Sequence, residues 1–505
     1  MVWNTCAAMY LVHRLTGRLV ELLQRATRAS SWAAVVPSTE TCHVFHVFVQ
    51  RRSSVACLAT PRHFHLSTRS SSSGSDRHPV VSNQDAAAAA INEELREVYR
   101  SILSQFRGVG YCFAYGSGVF PQTTSSPSIS DAEFRKVHPN PPRPLVQAQG
   151  GSPKMVDLIF GVLHTEHFHS LNIKDHPEHY SFLGSMGAQY VAAAQDRWGA
   201  GVYFHPYVTV NGIQIKYGVT SLANLVRDLS TWDTLYLAGR LQKPVRIVRD
   251  HPQVRFANQQ NLMAAVRTAQ LLLPQTFDEM QLYRTIAGLS YLGDPRMALP
   301  TESPTKVSDI VTNNIVHFRR LYAPIIANLP AIWFCDEHGN HQHNQYQRKH
   351  QQYHENHNNP PSEAAFIGDP AWLADKTANY SLQQDMEPNR RADIVQRLPP
   401  AFRNRLYFRY QRALGIPPDA FDGMTKTTTT TPVRKRVATT TEFDMRVVAQ
   451  GEEELQRAVR AVVGQTVKWP ATTQSMKGLL SAGVLRSVRY FGEKVGKWSA
   501  GRMKK

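Results

Sequence analysis

Two short segments carry residues that could do phosphate chemistry. Tyr115-Gly116-Ser117-Gly118 closes an apolar run, and Val156-Asp157-Leu158-Ile159-Phe160 sets one carboxylate inside another. Glycines at 116 and 118 let backbone N–H groups approach an anion, and the Ser117 hydroxyl adds a donor, which suits a polyphosphate. A carboxylate inside an apolar strand is costly unless it is paired, either with a divalent cation such as Mg2+ or with a structural basic partner. A Gly-Ser-Gly by itself is more often a simple turn, so the weight rests on the two segments together.

The elements that must hold them follow from hydrophobic periodicity. Asp85 to Gln105 has Leu95, Val98, Ile102 and Leu103 at helical spacing, and the run from Gly108 to Tyr115 is apolar on both faces, as in a buried strand. Pro121 to Pro153 lacks periodicity and is expected to be a long loop; Met155 to Leu163 is expected to be a second buried strand. Val202 to Val219 is expected to be a hairpin turning at Asn211 and Gly212. Two-residue pairing puts Val208, Val210, Ile213 and Ile215 on one face and Tyr207, Thr209, Gln214 and Lys216 on the other. From Leu222 to about Tyr322 the pattern is helical, with Asn258 to Leu273 and Asp278 to Ser290 the clearest segments.

The chain has 505 residues, a formal net charge of +18 and 42% hydrophobic residues, enough for two or three domains and an anionic partner. Its five cysteines, Cys6, Cys42, Cys57, Cys112 and Cys335, have neither zinc-ligand nor disulfide-framework spacing. No stretch reaches the roughly 18 apolar residues of a membrane-spanning helix. Residues 1–75 carry eight Arg, no Lys and only Glu21 and Glu40 as acids, the composition of a mitochondrial transit peptide. Low-complexity sequence occupies 336–360, rich in His, Asn and Gln, and 425–441, rich in Thr. In the last segment Met476, Leu480, Val484, Val488, Phe491, Val495 and Trp498 recur at helical spacing among many Lys and Arg, as in a basic helix lying on an anionic lipid surface. Docking of that stripe on the protein's own core is the alternative.

A strand ended by Gly-Ser-Gly and followed by an acid-bearing strand resembles the polymerase-β-like nucleotidyltransferases. Over most of the chain beyond residue 75 the sequence further resembles the mitochondrial phosphatidate cytidylyltransferases of the translocator assembly and maintenance family. The matching stretches are Ala114 to Phe120, Asp157 to Phe160, His169 to Lys174, His179 to Leu183, Gly199 to Tyr203, Ile215 to Val219, Leu235 to Val245 and Ile286 to Tyr291. The chain departs from the family pattern in its 40-position spacing of Ser117 and Asp157 and in the two low-complexity insertions.

The resemblance implies an α+β fold: a nucleotidyltransferase domain (85–220), a mainly helical, winged-helix-like domain (221–335), a low-complexity insertion (336–395), a C-terminal region with the Thr-rich insertion (396–470) and an amphipathic membrane-binding helix (471–505). It implies CTP and phosphatidate as substrates, Mg2+ or another divalent cation, no nucleic acid, and a peripheral place on the matrix side of the inner mitochondrial membrane, against its anionic surface. Asp157 is then expected to be catalytic and a metal ligand, with Asp228 a further metal ligand. Lys216 is expected to be catalytic; Gly116, Ser117, Gly118, Arg240 and Lys243 are expected to bind nucleotide, and His169 and His179 the lipid phosphate. Ile159 stands where many polymerase-β-like enzymes place a second acid. A phosphate monoester, with its second pKa at about 6, needs no general base to act as nucleophile. Rival readings are a template-independent or RNA-modifying nucleotidyltransferase, which usually keeps that second acid, and a non-catalytic protein maintaining import machinery, against which the pairing of Ser117 with Asp157 argues.

Overall fold

Leu95, Tyr99, Ile102 and Leu103 are all buried on one side of helix α1 (Asn83–Leu103), which lies against the first strand pair through Phe106. The computed structural model describes residues 83–120, 130–150, 152–298, 303–335, 370–425 and 440–482. The expected transit peptide, residues 336–369, most of the Thr-rich stretch and the tail beyond Ala482 lie outside them.

Strand β1 (Val109–Tyr115) pairs antiparallel with β2 (Val156–Val162), both of them buried over most of their length as their apolar runs require. Helices α2 (Thr165–Asp175) and α3 (Ala188–Arg197) follow β2. The hairpin of β3 (Tyr203–Val210) and β4 (Ile213–Ser221) turns at Asn211 and Gly212, with φ of +50° and +76°, the left-handed pair that a type I′ turn needs. Val210 faces Ile213 and Val208 faces Ile215 as expected, but the register then shifts: Tyr207 has φ +56°, and His205 rather than Tyr207 continues the ladder, opposite Tyr217. That bulge removes the expected pairing of Tyr207 with Lys216.

β4 pairs in parallel with β2 and runs directly into α4 (Leu222–Thr231), whose N-cap Ser221 accepts from the Asn224 N–H. The short helix α5 (Ala238–Leu241) precedes β5 (Arg246–Arg249), which returns to the free side of β1, so the sheet order is β3-β4-β2-β1-β5. An edge strand supplied from beyond residue 220 means that the expected boundary at 220/221 does not separate two sheets. The long helix α6 (Pro252–Leu272) and α7 (Glu279–Leu289), joined by β6 (Thr276–Asp278), then build the second half with α8 (Ile315–Ala327) and β7 (Ile332–Phe334). β8 (Ser381–Gln384) is the central strand of the sheet β6-β8-β7, followed by α9 (Pro388–Gln396), α10 (Pro400–Ala413), α11 (Glu442–Val448) and α12 (Glu452–Ala482).

Three expectations need correction. Pro121 to Pro153 is not all loop: Asp131–Val137 and Arg143–Gln149 are short helices, the first capped by Ser130. The low-complexity insertion does not reach 395, because β8 and α9 are packed structure, and Gln384 donates through one amide to the carbonyls of Gln270, Leu273 and Pro274. The boundary at 470/471 falls inside α12, which runs through Pro470 and is anchored by Lys477 donating to the carbonyls of Gln195 and Trp198. Among the described residues no helix is long and apolar enough to cross a membrane.

One apolar cluster runs from the β1–β2 face through α4, α6, α7 and α10 to Ala471 of α12; the opposite sheet face holds a second, with α1 and Phe168 of α2. Within the larger cluster, Arg319 and Glu279 form a wholly buried ion pair, and Arg319 also donates to the carbonyls of Trp372, Asp375 and Ala378, fastening the segment before β8. Arg319→Met leaves the Glu279 carboxylate buried without its cation and is expected to cost about 3–5 kcal/mol of stability. Adding Glu279→Gln should restore part of it, which denaturant unfolding of the single and double variants will measure.

Candidate active site

Strand register builds the first part of the site. Tyr115 of β1 pairs with Asp157 of β2, and Asp157 pairs with Lys216 of β4, so three polar side chains stand side by side across adjacent strands. Alternation puts them on the face that carries Phe113 and Ile159, all three half-buried, with the Lys216 ammonium 4.8 Å from the centre of the Phe204 ring. Gly116 follows at φ +80°, and its carbonyl accepts from the N–H groups of Val119 and Phe120, closing a tight turn around Ser117. A Cβ on Gly116 would stand 3.0 Å from Asp157 Oδ2, and one on Gly118 only 2.4 Å from the Met155 carbonyl oxygen. The Gly-Ser-Gly turn can therefore lie against the acid-bearing strand only without side chains at these two places. Gln149 buttresses it from behind, donating to the carbonyls of Gly118 and Lys154 and accepting from the Lys154 N–H.

The second part is a cluster of cations reached through Tyr115. The Arg240 guanidinium lies 5.5 Å from the Tyr115 ring and 3.9 Å from that of Tyr236, and its buried Nε–H has no hydrogen-bond partner. Burial raises the pKa of the Tyr115 phenol; the Arg240 charge pulls it back, Asp157 pushes it further up and Lys216 lowers it, so all four groups share one electrostatic neighbourhood. Lys243 donates to the Gly239 carbonyl and to Ser290 Oγ, and both Lys243 and Lys306 lie over the Tyr291 ring, at 5.0 and 5.4 Å. Burial, then the charges of Arg240 and Lys306, lower the Lys243 pKa to about 7. Gly239 allows the approach of α5 to Ser290, since a Cβ there would stand 2.3 Å from the Ser290 Cβ. An aligned carboxylate, a donor-rich turn and concentrated positive charge can bind a metal-polyphosphate and neutralise a departing one.

A family described as phosphatidate cytidylyltransferase, mitochondrial, matches residues 99–497. The chain belongs to this family. Its relatives include proteins of that name from Saccharomyces cerevisiae, 40% identical over 240 residues, covering 46% of this chain and 56% of the relative. The proteins of that name from Xenopus laevis and Homo sapiens are each 40% identical over 244 residues, covering 48% of this chain and 66% and 49% of the relatives. The matched stretch thus spans about half to two thirds of the relatives' length.

In this member of the phosphatidate cytidylyltransferase family, the structure brings together Gly116, Ser117, Gly118, Asp157, Lys216, Arg240 and Lys243, and leaves three expected residues elsewhere. Asp228 is no metal ligand here. Both its oxygens are occupied: Oδ1 accepts from the Thr234 and Leu235 N–H groups and the Thr234 hydroxyl, Oδ2 from the Leu237 and Ala238 N–H groups. It organises the turn that carries Trp232 and Leu235 at positive φ and delivers Arg240. His169 is fully buried, hydrogen-bonded through one ring nitrogen to the Tyr180 hydroxyl and through the other to Gln195, and burial lowers its pKa to about 4. His179 is buried against the Tyr217 hydroxyl. Tyr217 belongs to the sheet face opposite Asp157 and Lys216, so neither histidine reaches a lipid phosphate at this site. Gln149 and Lys306 were missed from sequence, and Tyr115 and Tyr291 lay inside recognised stretches without being given a role.

Asp228→Asn replaces one strong acceptor of N–H groups by an amide donor. It is expected to lower stability by about 2–4 kcal/mol, which thermal unfolding will measure.

Proposed function

We propose that the chain transfers CMP from CTP to phosphatidate, releasing pyrophosphate and forming CDP-diacylglycerol for mitochondrial phospholipid synthesis, including that of cardiolipin. The observation that carries the reading is the alignment of Asp157 with the Gly116-Ser117-Gly118 turn on one side and with Lys216 and the Arg240–Lys243 cations on the other. The mixed five-stranded sheet is read as a polymerase-β-like nucleotidyltransferase core, and α6, α7 and the sheet β6-β8-β7 as a winged-helix-like companion.

Asp157 fits a divalent cation. It is one half-buried carboxylate at the mouth of a polyphosphate turn, and Mg2+ is commonly held by one or two carboxylates, with substrate phosphates and waters completing the shell. When bound, such a cation supplies charge neutralisation at the α-phosphate. The chain's own groups do the rest. The turn around Ser117 seats the triphosphate by its donors, and the unsatisfied Arg240 Nε–H and Lys243 receive the β- and γ-phosphates. An oxygen of the phosphatidate phosphate attacks the α-phosphorus; the new P–O bond forms as the bond to the β-phosphate oxygen breaks, and both electrons leave with pyrophosphate. Lys216 neutralises charge on the attacked phosphate. Ile159, two residues beyond Asp157 on the same strand face, is fully buried in the core, so no second carboxylate stands there as base, and a largely dianionic phosphate monoester requires none.

Access to lipid is read as peripheral attachment to the matrix side of the inner membrane. Exposed Trp198 and Met476 sit where Lys477 ties α12 to the end of α3, and the sequence that follows is the basic apolar stripe. Because Lys477 docks α12 on the protein, the anchor is assigned to the residues after Ala482.

Asp157→Asn is expected to keep the melting temperature within a few degrees and lower turnover of CTP with phosphatidate and magnesium roughly a thousandfold. Parent-like synthesis would remove Asp157 from the mechanism. Lys243 is cationic below about pH 7 and neutral above it. Triphosphate favours the cation, so CTP affinity should fall as pH rises through 7, with a proton taken up on binding. Lys243→Met should lose about tenfold in affinity below pH 7 and little above it, as calorimetry in buffers of different ionisation enthalpy will show. A chain ending at Ala482 should bind CTP normally, lose most activity on phosphatidate in bilayers and retain it on a short-chain soluble phosphatidate. Equal loss on both substrates would make the tail part of the folded core.

A further inference from the structure

The turn after α2 carries a group of side chains that the proposed chemistry does not use. His176 and His179 flank Pro177 and Glu178, and their rings stack in parallel, centroids 4.7 Å apart with 8° between planes. Glu178 reaches back to both: its Oε1 lies 3.7 Å from His176 Nδ1 and 3.3 Å from His179 Nε2, and the three atoms all fall within 4.8 Å of one another. Donors held at about 2.0–2.1 Å around a tetrahedral ion stand about 3.4 Å apart. Two of the three spacings are already close to that, and the third is no more than 4.8 Å.

The remaining ring nitrogens meet groups compatible with the tautomers a metal needs. His176 Nε2 is 3.2 Å from the Gln105 carbonyl, which can only accept, so Nε2 carries the proton and Nδ1 turns its lone pair toward Glu178. His179 Nδ1 is 2.9 Å from the Tyr217 hydroxyl, which also accepts from the Asn172 amide; a metal on Nε2 requires His179 Nδ1–H to donate to that oxygen as well. Outer hydrogen bonds of this kind orient ligating histidines. Phe106 packs beside both rings, at 5.6 and 6.0 Å, shielding one side, while Glu178 is exposed on the other.

We propose that His176, Glu178 and His179 form a three-ligand site for a divalent transition ion of the zinc class, with water in the fourth position. Two imidazoles and a carboxylate favour zinc, cobalt or nickel over magnesium and calcium, which take oxygen donors. The site is thus separate in chemistry from the cation assigned to Asp157, and it lies with Tyr217 on the other sheet face. A bound ion would staple the turn to the end of α1 through Gln105 and to β4 through Tyr217, the residue after Lys216. Its competitor is a proton shared between each imidazole and Glu178, so metal uptake should release protons.

The histidines of the 336–360 stretch can also take up metal, and the test must exclude them. In a full-length chain with His338, His341, His343, His350, His354 and His357 changed to Asn, cobalt is expected to bind as one equivalent with the intense visible bands of a low-coordinate ion. Zinc displaces it, and excess magnesium does not. Adding Glu178→Gln, a change at an exposed side chain that leaves the fold intact, should weaken cobalt binding at least tenfold, and His176→Asn with Glu178→Gln should abolish it. Failure of the six-Asn chain to take up cobalt, or uptake unchanged by the Glu178 and His176 substitutions, overturns the proposal.

Discussion

Parallel pairing of β2 with β4 puts Asp157 beside Lys216, and antiparallel pairing of β2 with β1 puts it beside Tyr115. A strand presents alternate residues to opposite faces, so a slip of one position in either ladder would send one of these side chains into the apolar cluster behind the sheet. The register is fixed by what lies behind: Ile213, Ile215, Tyr217 and Val219 alternate with Gln214 and Lys216 and bury against α1, and the Asn211-Gly212 turn sets their phase. The bulge at Tyr207 falls on β3, at the sheet edge, and leaves the inner ladders undisturbed. Core packing and site geometry are in this sense one constraint.

The cations depend on a second constraint, the carboxylate of Asp228. Its two oxygens hold the N–H groups of a turn that runs through two residues of positive φ, and the turn ends in the helix bearing Arg240 and, one turn on, Lys243. Assembling Arg240, Lys243 and Lys306 without an anion is electrostatically unfavourable, and this repulsion adds to burial, the larger cause, in lowering the proton affinity of Lys243. An arriving polyphosphate relieves that repulsion, so the protein's charge arrangement is complementary to the substrate it is proposed to hold. Net positive charge read from composition is concentrated, at this place, in Arg240, Lys243 and Lys306.

Much of this was legible in the sequence because its signals are local. Buried strands, the Asn-Gly turn, the long helices and the pairing of Gly-Ser-Gly with Asp157 rest on periodicity and residue type, and each stands where expected. Family resemblance could mark Asp228, His169 and His179 but could not assign their roles. Whether a buried carboxylate meets a metal or five hydrogen-bond donors, and whether a histidine faces a pocket or a tyrosine, depends on how the following turn folds back, since the partners of Asp228 and Tyr180 beside His169 follow within about a dozen positions and carry no periodic signal. The roles of Tyr115, Tyr291 and Lys306 could not be read in advance, since only the fold brings them to Arg240 and Lys243. β8 was lost to composition: a strand of Ser, Leu and Gln next to a His/Asn/Gln-rich stretch has no hydrophobic alternation to announce it.

The central claim is that one site splits CTP between its α- and β-phosphates and gives the nucleotide half to a lipid. The direct test is to incubate the purified chain with phosphatidate, magnesium and CTP carrying one label at the α-phosphorus and another at the γ-phosphorus, then partition the products between chloroform and water. Transfer of CMP to the lipid puts the α label in a chloroform-soluble product and the γ label in aqueous pyrophosphate, in equal molar amounts. Label from the α-phosphorus in RNA, or no transfer to lipid, would contradict it.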